Sequence, residues 1–155
     1  MVRRLDLEEV HSLNLNYILV GPRQMDNAWP ILAPWILQAM GDGTTQECVD
    51  GVRADIMRGT SQLWAIQKDD GRVMAVVVTE AMKVAGRMVL VLRWLGGTQL
   101  DIWLDDLGII ERWAMIQGFE RVEVWGRPGW SKILAPHGYK ESFRVLTKSV
   151  DIGVH

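Results

Sequence analysis

Hydrophobic and polar residues form blocks along the first third of the chain, and each block predicts one element. A run rich in β-branched and aromatic residues over positions 15–20 predicts a short strand that a Gly-Pro pair ends. An Asp-Asn pair is expected to cap a helix over residues 26–40, which Pro34 is expected to break or kink. A Thr-Thr-Gln-Glu capping box predicts a second helix over residues 45–58. Two helices therefore precede the main sheet.

Three apolar segments follow, and the turns between them predict an antiparallel meander. Residues 62–67 and 72–79 flank a Lys-Asp-Asp-Gly turn, and Asp-Gly between two apolar runs is a strong hairpin signal. A second glycine turn leads into residues 87–95. The apolar residues of the second and third segments are continuous rather than alternating, so we expect these strands to be covered on both faces.

The last part of the chain returns to a helical period. Apolar residues recur at three- and four-residue steps over residues 98–117, which predicts an amphipathic helix capped by Thr98. A brief strand over residues 122–125 follows, and strand, helix and strand in this order form a right-handed parallel crossover. A short helix over residues 129–136 and a closing strand over residues 139–149 complete the predicted α/β domain.

Length and composition limit the class of protein. The chain has 155 residues, 48% of them hydrophobic and 23% charged, which is typical of one globular domain over residues 1–155. Cys48 is the only cysteine and excludes an intramolecular disulfide, while the three histidines lack the spacing of a metal site. No signal peptide is recognisable, and no apolar run approaches the roughly 18 residues of a membrane span. Secretion, membrane insertion and metal binding are therefore not expected.

Charge is unevenly distributed along a chain whose formal net charge is −2. Residues 98–111 contain acids and no bases, whereas residues 112–148 contain seven bases and three acids. The basic third can attract an anion, or it can be a solvated surface beside a basic hairpin. Nonspecific nucleic-acid binding depends on many Lys and Arg contacts to phosphate, so the net charge disfavours a nucleic-acid partner without excluding one.

The order of the predicted elements resembles the GNAT superfamily of N-acyltransferases, whose fourth strand leads into the pattern Arg/Gln-x-x-Gly-x-Gly/Ala. Arg93 and Gly96 match this pattern, Gly97 follows, and Thr98 stands at the last position. The resemblance implies a mixed, mostly antiparallel sheet flanked by helices. It also implies that these four residues hold the pyrophosphate of acetyl-CoA, because free N–H groups at a helix N-terminus favour an anion. The alternative is a plain strand-to-helix turn without a cofactor.

A second stretch, residues 127–139, departs from the family pattern. GNAT proteins commonly carry a tyrosine here as general acid toward the departing thiolate, but this chain has Leu134, which has no proton to deliver. The resemblance leaves Tyr139 and His137 as candidate acids and Glu80, at a strand end, as candidate base for an amine. The alternatives are core packing for Tyr139, a turn for His137 and a solvated carboxylate for Glu80.

Tryptophans are numerous, and three of them follow the predicted strand ends. Trp94, Trp125 and Trp130, together with Arg127, lie around the predicted cofactor cleft. Because Trp and Arg are enriched at binding hot spots, these four residues predict an interaction surface. The tryptophans can also stack on a ligand or on a base, or fill the cleft.

Two short motifs, Leu-Trp at the start of the central hairpin and Gly-Arg-Pro-Gly-Trp before the last helix, resemble those of GNAT-like proteins of tailed bacteriophages. This resemblance implies a place in the host cytoplasm or in the virion. Three functions remain open: a non-catalytic protein that acts by protein contact in a virion, an active acyl-CoA-dependent N-acyltransferase, and a DNA-modifying protein.

Overall fold

A computed structural model of the chain describes residues 15–126 and 129–150, in which helices cover both faces of one five-stranded sheet. The strands are β1 (Leu15–Leu19), β2 (Ser61–Lys68), β3 (Val73–Val84), β4 (Arg87–Gly97) and β5 (Arg121–Val124). The helices are α1 (Met25–Met40), α2 (Gln46–Arg58), α3 (Leu100–Trp103), α4 (Gly108–Gln117) and α5 (Trp130–Leu134).

The sheet follows the order of the chain, β1-β2-β3-β4-β5. Neighbouring strands are antiparallel except β4 and β5, which are parallel because α3 and α4 lie between them in sequence. The predicted α/β fold with a mixed, mostly antiparallel sheet is confirmed.

Two apolar cores lie on opposite faces of the sheet. The core under α1 and α2 contains Val76 and Val78 of β3. The opposite core contains Trp64, Leu92 and Trp103, and receives α3, α4 and α5. Continuous apolar strands with a core on each face confirm the predicted two-sided coverage.

Helix α1 continues through both of its prolines, so the predicted break at Pro34 is wrong. Each proline removes one helical N–H, but Pro34 lies on the exposed face. The opposite face buries Trp29, Leu32 and Ile36 against the sheet. This packing holds the helix together where local propensity alone would interrupt it.

The predicted helix over residues 98–117 is divided into α3, a 3-10 turn and α4, and Thr98 does not cap it. Thr98 instead donates from its N–H to the Met74 carbonyl at 2.9 Å and from its hydroxyl to the same oxygen at 3.3 Å. The residue therefore extends the contact of β4 with β3, and the helix starts after it.

The predicted closing strand over residues 139–149 is not formed. Residues 139–150 have no regular secondary structure, and the apolar side chains that follow Tyr139 are largely exposed. Phe143 packs edge-on against Trp125 just beyond β5, with ring centroids 6.4 Å apart. The segment thus reaches the edge of the sheet without pairing to it.

Candidate functional site

Strands β4 and β5 run together only as far as Leu92 and Val124, their last residue pair. Trp125 adds one hydrogen bond from its N–H to the Leu92 carbonyl at 3.0 Å. Strand β4 then continues to Gly97 with β3 as its sole strand partner in the described chain. Among the residues that the structure describes, none pairs with the edge of β4 that faces away from β3 from Arg93 onward.

A β-bulge in β4 marks the point where the strands diverge. Val78 pairs with Trp94 and Thr79 with Leu92, so Arg93 is the extra residue between them. A bulge bends its strand and redirects the side chain of the extra residue, and bulges are over-represented beside active sites. Here the redirected side chain is that of Arg93.

The Arg93 guanidinium lies between two indole rings. Its central carbon is 4.9 Å from the ring centroid of Trp94 and 5.0 Å from that of Trp125, both within the range of a cation–π contact. Its Nε is 3.3 Å from a Glu80 carboxylate oxygen, and both side chains keep about a third of their surface exposed. The Trp125 indole N–H donates to Glu123 at 2.9 Å, which fixes the orientation of the second ring.

A cleft of about 380 Å³ opens beside this cluster, between the helix pair α1–α2 and strands β3–β4. Its volume falls in the range of small-molecule sites, roughly 300–1,000 Å³. The lining combines apolar groups with charged and polar groups, among them Met40, Cys48, Val52, Arg58, Ser61, Glu80, Arg93 and Trp94. The cleft therefore offers two carboxylates, those of Asp55 and Glu80, and two guanidinium groups beside an aromatic wall, and Asp55 is already paired with Arg58.

The stretch that the GNAT resemblance assigns to pyrophosphate is part of β4. Gly96 pairs with Val76 and Gly97 with Ala75. A Cβ on Gly96 would lie 2.7 Å from that of Ala39 in α1, and one on Gly97 would lie 2.3 Å from the Met74 carbonyl oxygen. Both glycines are thus required by close packing. The Thr98 N–H already donates to Met74, as described above.

The residues at and near the expected general-acid position are also engaged in packing and hydrogen bonds within the fold. Leu134 is buried in the core under α4 and α5, only 2% exposed. Tyr139 packs against the same core and donates its hydroxyl to the Glu111 carboxylate at 2.6 Å. Burial, followed by the hydrogen bond and negative charge of Glu111, raises the pKa of Tyr139 far above its ordinary value. His137 lies 3.7 Å from an Asp105 carboxylate oxygen.

The predicted catalytic pair is separated by the sheet. Glu80 lines the cleft beneath α1 and α2, whereas Tyr139 packs on the opposite core. The structure instead brings Glu80 together with Arg93, Trp94 and Trp125, which the sequence assigned to three different roles. Their catalytic or binding roles stay predictions.

Of the two remaining predicted interaction residues, the structure describes Trp130. Trp130 is half-buried against the opposite core and covers Gly126, whose added Cβ would lie 2.5 Å from the Trp130 ring. Arg127 lies outside the described residues. Trp130 therefore packs over Gly126, while Trp94 and Trp125 contribute to the Arg93 cluster.

Sequence reasoning missed the contribution of α2 and the partner of Trp125. Cys48 and Arg58 reach the cleft from α2, and nothing in their local sequence indicates it. Phe143 packs on Trp125 and belongs to the predicted closing strand. The signal that could have indicated this contact was an aromatic residue in that strand and a tryptophan at the end of the preceding one.

Within the described ranges, no cluster of His, Cys, Asp and Glu fits a metal ion. No helix there is long and apolar enough to cross a membrane.

Solved structures with the same architecture include N-acetyltransferases. The chain superposes on an aminoglycoside N-acetyltransferase, AAC(6')-Iy, in complex with CoA with a TM-score of 0.69 and 13% identity, over 90% of this chain and 97% of that one. It matches a possible acetyltransferase from Clostridium difficile 630 with a TM-score of 0.67 and 9% identity, over 90% and 99% of the two chains.

A third match is the aminoglycoside 6'-N-acetyltransferase AAC(6')-Ih from Acinetobacter baumannii, with a TM-score of 0.65 and 13% identity over 90% and 100% of the two chains. No protein-family model matches the sequence, and no curated protein matches it either. At these identities the likeness concerns the fold, which is that of the GNAT acetyltransferases.

Proposed function

We propose that this protein keeps the GNAT scaffold but does not transfer acyl groups, and that it acts as a binding protein through the Arg93 cluster of Glu80, Arg93, Trp94 and Trp125. The observation that carries the proposal is the close packing of Gly96 and Gly97 within the fold. Both lie in β4 in close contact with α1 and β3, rather than in a separate glycine loop at a helix N-terminus.

The proton-transfer groups support the same proposal. Leu134 stands where a general acid is expected and is packed in the core. Tyr139 holds its proton far into the alkaline range and gives its hydrogen bond to Glu111. A general acid works best when its pKa lies near the working pH, so Tyr139 is poorly suited to the role.

The Arg93 cluster has the composition of a contact surface. It combines an arginine with two tryptophans, the residue types most enriched at hot spots, and one carboxylate that orients the guanidinium. On the resemblance to phage proteins, the partner is a virion component. Purified particles of the phage that encodes the chain should then contain it at a fixed ratio to the other virion proteins; particles that lack it exclude a virion role.

A turnover assay tests the proposal directly. Thiol release from acetyl-CoA is followed with a panel of primary amines, including aminoglycosides, and we expect no rate above the protein-free background. A rate that falls on Glu80→Gln and survives on Asp101→Asn, an exposed acid in α3, would overturn the proposal. It would establish Glu80 as the base of a working transferase.

One observation favours the alternative, an active acyl-CoA-dependent N-acyltransferase. Within the described part of the chain, the edge of β4 from Arg93 to Gly97 has unpaired backbone groups on the side facing away from β3, where an extended amide-containing chain can add as a strand does. Amide NMR spectra with added CoA test this. Shifts confined to residues 93–97 support a CoA site there, and unchanged spectra at millimolar CoA dismiss it.

A further inference from the structure

Ser61, the first residue of β2, brings a buried hydroxyl to the wall of the cleft beside the Arg93 cluster. The residue is only 7% exposed. Within the described ranges its hydroxyl makes no hydrogen bond, although a buried hydroxyl is nearly always paired. Burial of a polar group without a hydrogen bond is unfavourable, so this hydroxyl marks a position that a ligand group can fill.

Arg93 brings further hydrogen-bond donors to the same place. Ser61 pairs with Glu80 across β2 and β3, and Glu80 contacts Arg93, so the three polar groups are neighbours. The guanidinium carries several N–H donors. In the described chain its polar contact is that of Nε with Glu80 at 3.3 Å, which is longer than an ordinary N–H···O hydrogen bond.

The unfilled hydrogen-bonding capacity at this point of the cleft is mainly that of donors. The guanidinium and the hydroxyl both donate, whereas the Glu80 carboxylate already faces Arg93. On the α2 wall, Arg58 and Asp55 pair with each other and add no net charge. A carboxylate fits this set best, because its oxygens can accept parallel N–H bonds from one guanidinium. The two indole rings hold the guanidinium in place, which lowers the entropic cost of binding.

The rest of the cleft indicates what the carboxylate is attached to. Its volume of about 380 Å³ is far larger than a carboxylate group alone, and part of its wall is apolar, formed by Met40, Val52, Val78 and Trp94. The Glu80 carboxylate can also accept a hydrogen bond from an N–H group of the ligand. An amino-acid residue with a free carboxylate, an acylated N–H and an apolar side chain has all three features.

We propose that the cleft binds such a residue, either the C-terminal residue of a peptide or a free N-acylated amino acid, with its carboxylate on Arg93 and Ser61. This assignment rests on the proposed function, because it names what the Arg93 cluster binds. The ligand N–H donates to Glu80, and the apolar side chain lies against Val52 and Trp94. A primary amine, the substrate of an N-acyltransferase, lacks the carboxylate and meets Arg93 as a like charge.

Calorimetry with three matched probes tests this chemistry. N-Acetylphenylalanine supplies the carboxylate, its primary amide replaces that group by a neutral one of the same shape, and phenylalanine amide is a cationic amine. We expect the first probe to bind at least tenfold more tightly than the other two. Equal affinity of acid and amide, a preference for the amine, or no binding at millimolar probe would overturn the assignment. The mixture contains no acetyl-CoA, so such a failure leaves the absence of acyl transfer untouched.

Ser61→Ala should weaken the binding of N-acetylphenylalanine several-fold without lowering the free energy of unfolding of the free protein, because the hydroxyl has no hydrogen bond in the fold to lose. Ser149→Ala, at an exposed position outside the cleft, is the control and should change neither quantity. Arg93→Gln should abolish the preference for acid over amide. Wild-type affinity in Ser61→Ala, or a preference that survives Arg93→Gln, would contradict the placement of the carboxylate.

Cys48 reports where the probe binds, because it is exposed, lines the cleft and is the only cysteine of the chain. Saturating N-acetylphenylalanine should slow its alkylation by iodoacetamide, and an unchanged rate would overturn the assignment to this cleft. N-Acetyl-Ala-Ala-Phe with a free carboxylate distinguishes the two sources of the ligand. Tighter binding than that of N-acetylphenylalanine supports a peptide C-terminus, and weaker binding supports a free N-acylated amino acid.

Discussion

Replacing Gly97 with alanine is expected to lower the free energy of unfolding by about 3 kcal/mol, at the upper end of ordinary overpacking. The added Cβ would lie 2.3 Å from the Met74 carbonyl oxygen and 2.5 Å from the Ala75 Cα. Both are backbone atoms of β3, so relief requires moving a central strand. Urea unfolding followed by tryptophan fluorescence measures the change.

Gly51→Ala is the matched control for this substitution. Gly51 lies inside α2 with no atom near its added Cβ, and alanine is favoured over glycine in a helix by about 1 kcal/mol. We therefore expect this variant to be slightly more stable than the wild type. If Gly97→Ala is as stable as Gly51→Ala, the close contact of β4 with β3 is wrong, and the glycine is again available for a ligand.

Stability should fall steeply with pH in the alkaline range, by about 2.7 kcal/mol per pH unit above roughly pH 10. The two tyrosines of the chain cause this. Burial, followed by the charges of Asp106 and Asp105, raises the pKa of Tyr17 well above its ordinary value, and the pKa of Tyr139 is raised by burial and Glu111. Each keeps its proton in the folded state and loses it on unfolding, so stability is full below pH 10 and declines above it.

Tyr139→Phe should halve this slope between pH 10 and 11, measured as the unfolding free energy at each pH. Ile116→Tyr adds an exposed tyrosine whose proton is bound equally in both states, and it should leave the slope unchanged. Equal slopes for the wild type and Tyr139→Phe would contradict the raised pKa of Tyr139, which rests on its burial and on its hydrogen bond to Glu111.

Elements with strong local signals could be predicted from the sequence. The capping box at Thr45 marks the start of α2, where the Thr45 hydroxyl accepts a hydrogen bond from the Cys48 N–H. The Asp-Gly turn marks the hairpin of β2 and β3. In both cases a few adjacent residues determine the local backbone, so no distant contact is needed to recognise it.

Features that depend on distant contacts escaped prediction. Nothing near Pro34 shows that the sheet holds α1 together across it. The glycines at positions 96 and 97 fit a cofactor motif as well as a packing contact, and only the placement of Ala39 and Met74 separates the two. The bulge that redirects Arg93 depends on pairing between strands and leaves no mark in the sequence of β4.

The bulge also allows β4 to pack against both cores while one of its side chains, that of Arg93, lies beside the cleft. Leu92 and Leu95 face one core and Trp94 the other, while Arg93 belongs to neither. A substitution at position 93 can therefore change charge and shape beside the cleft without altering how either helix layer packs. Recognition at this site can diverge among relatives of the protein while the scaffold that carries it stays the same.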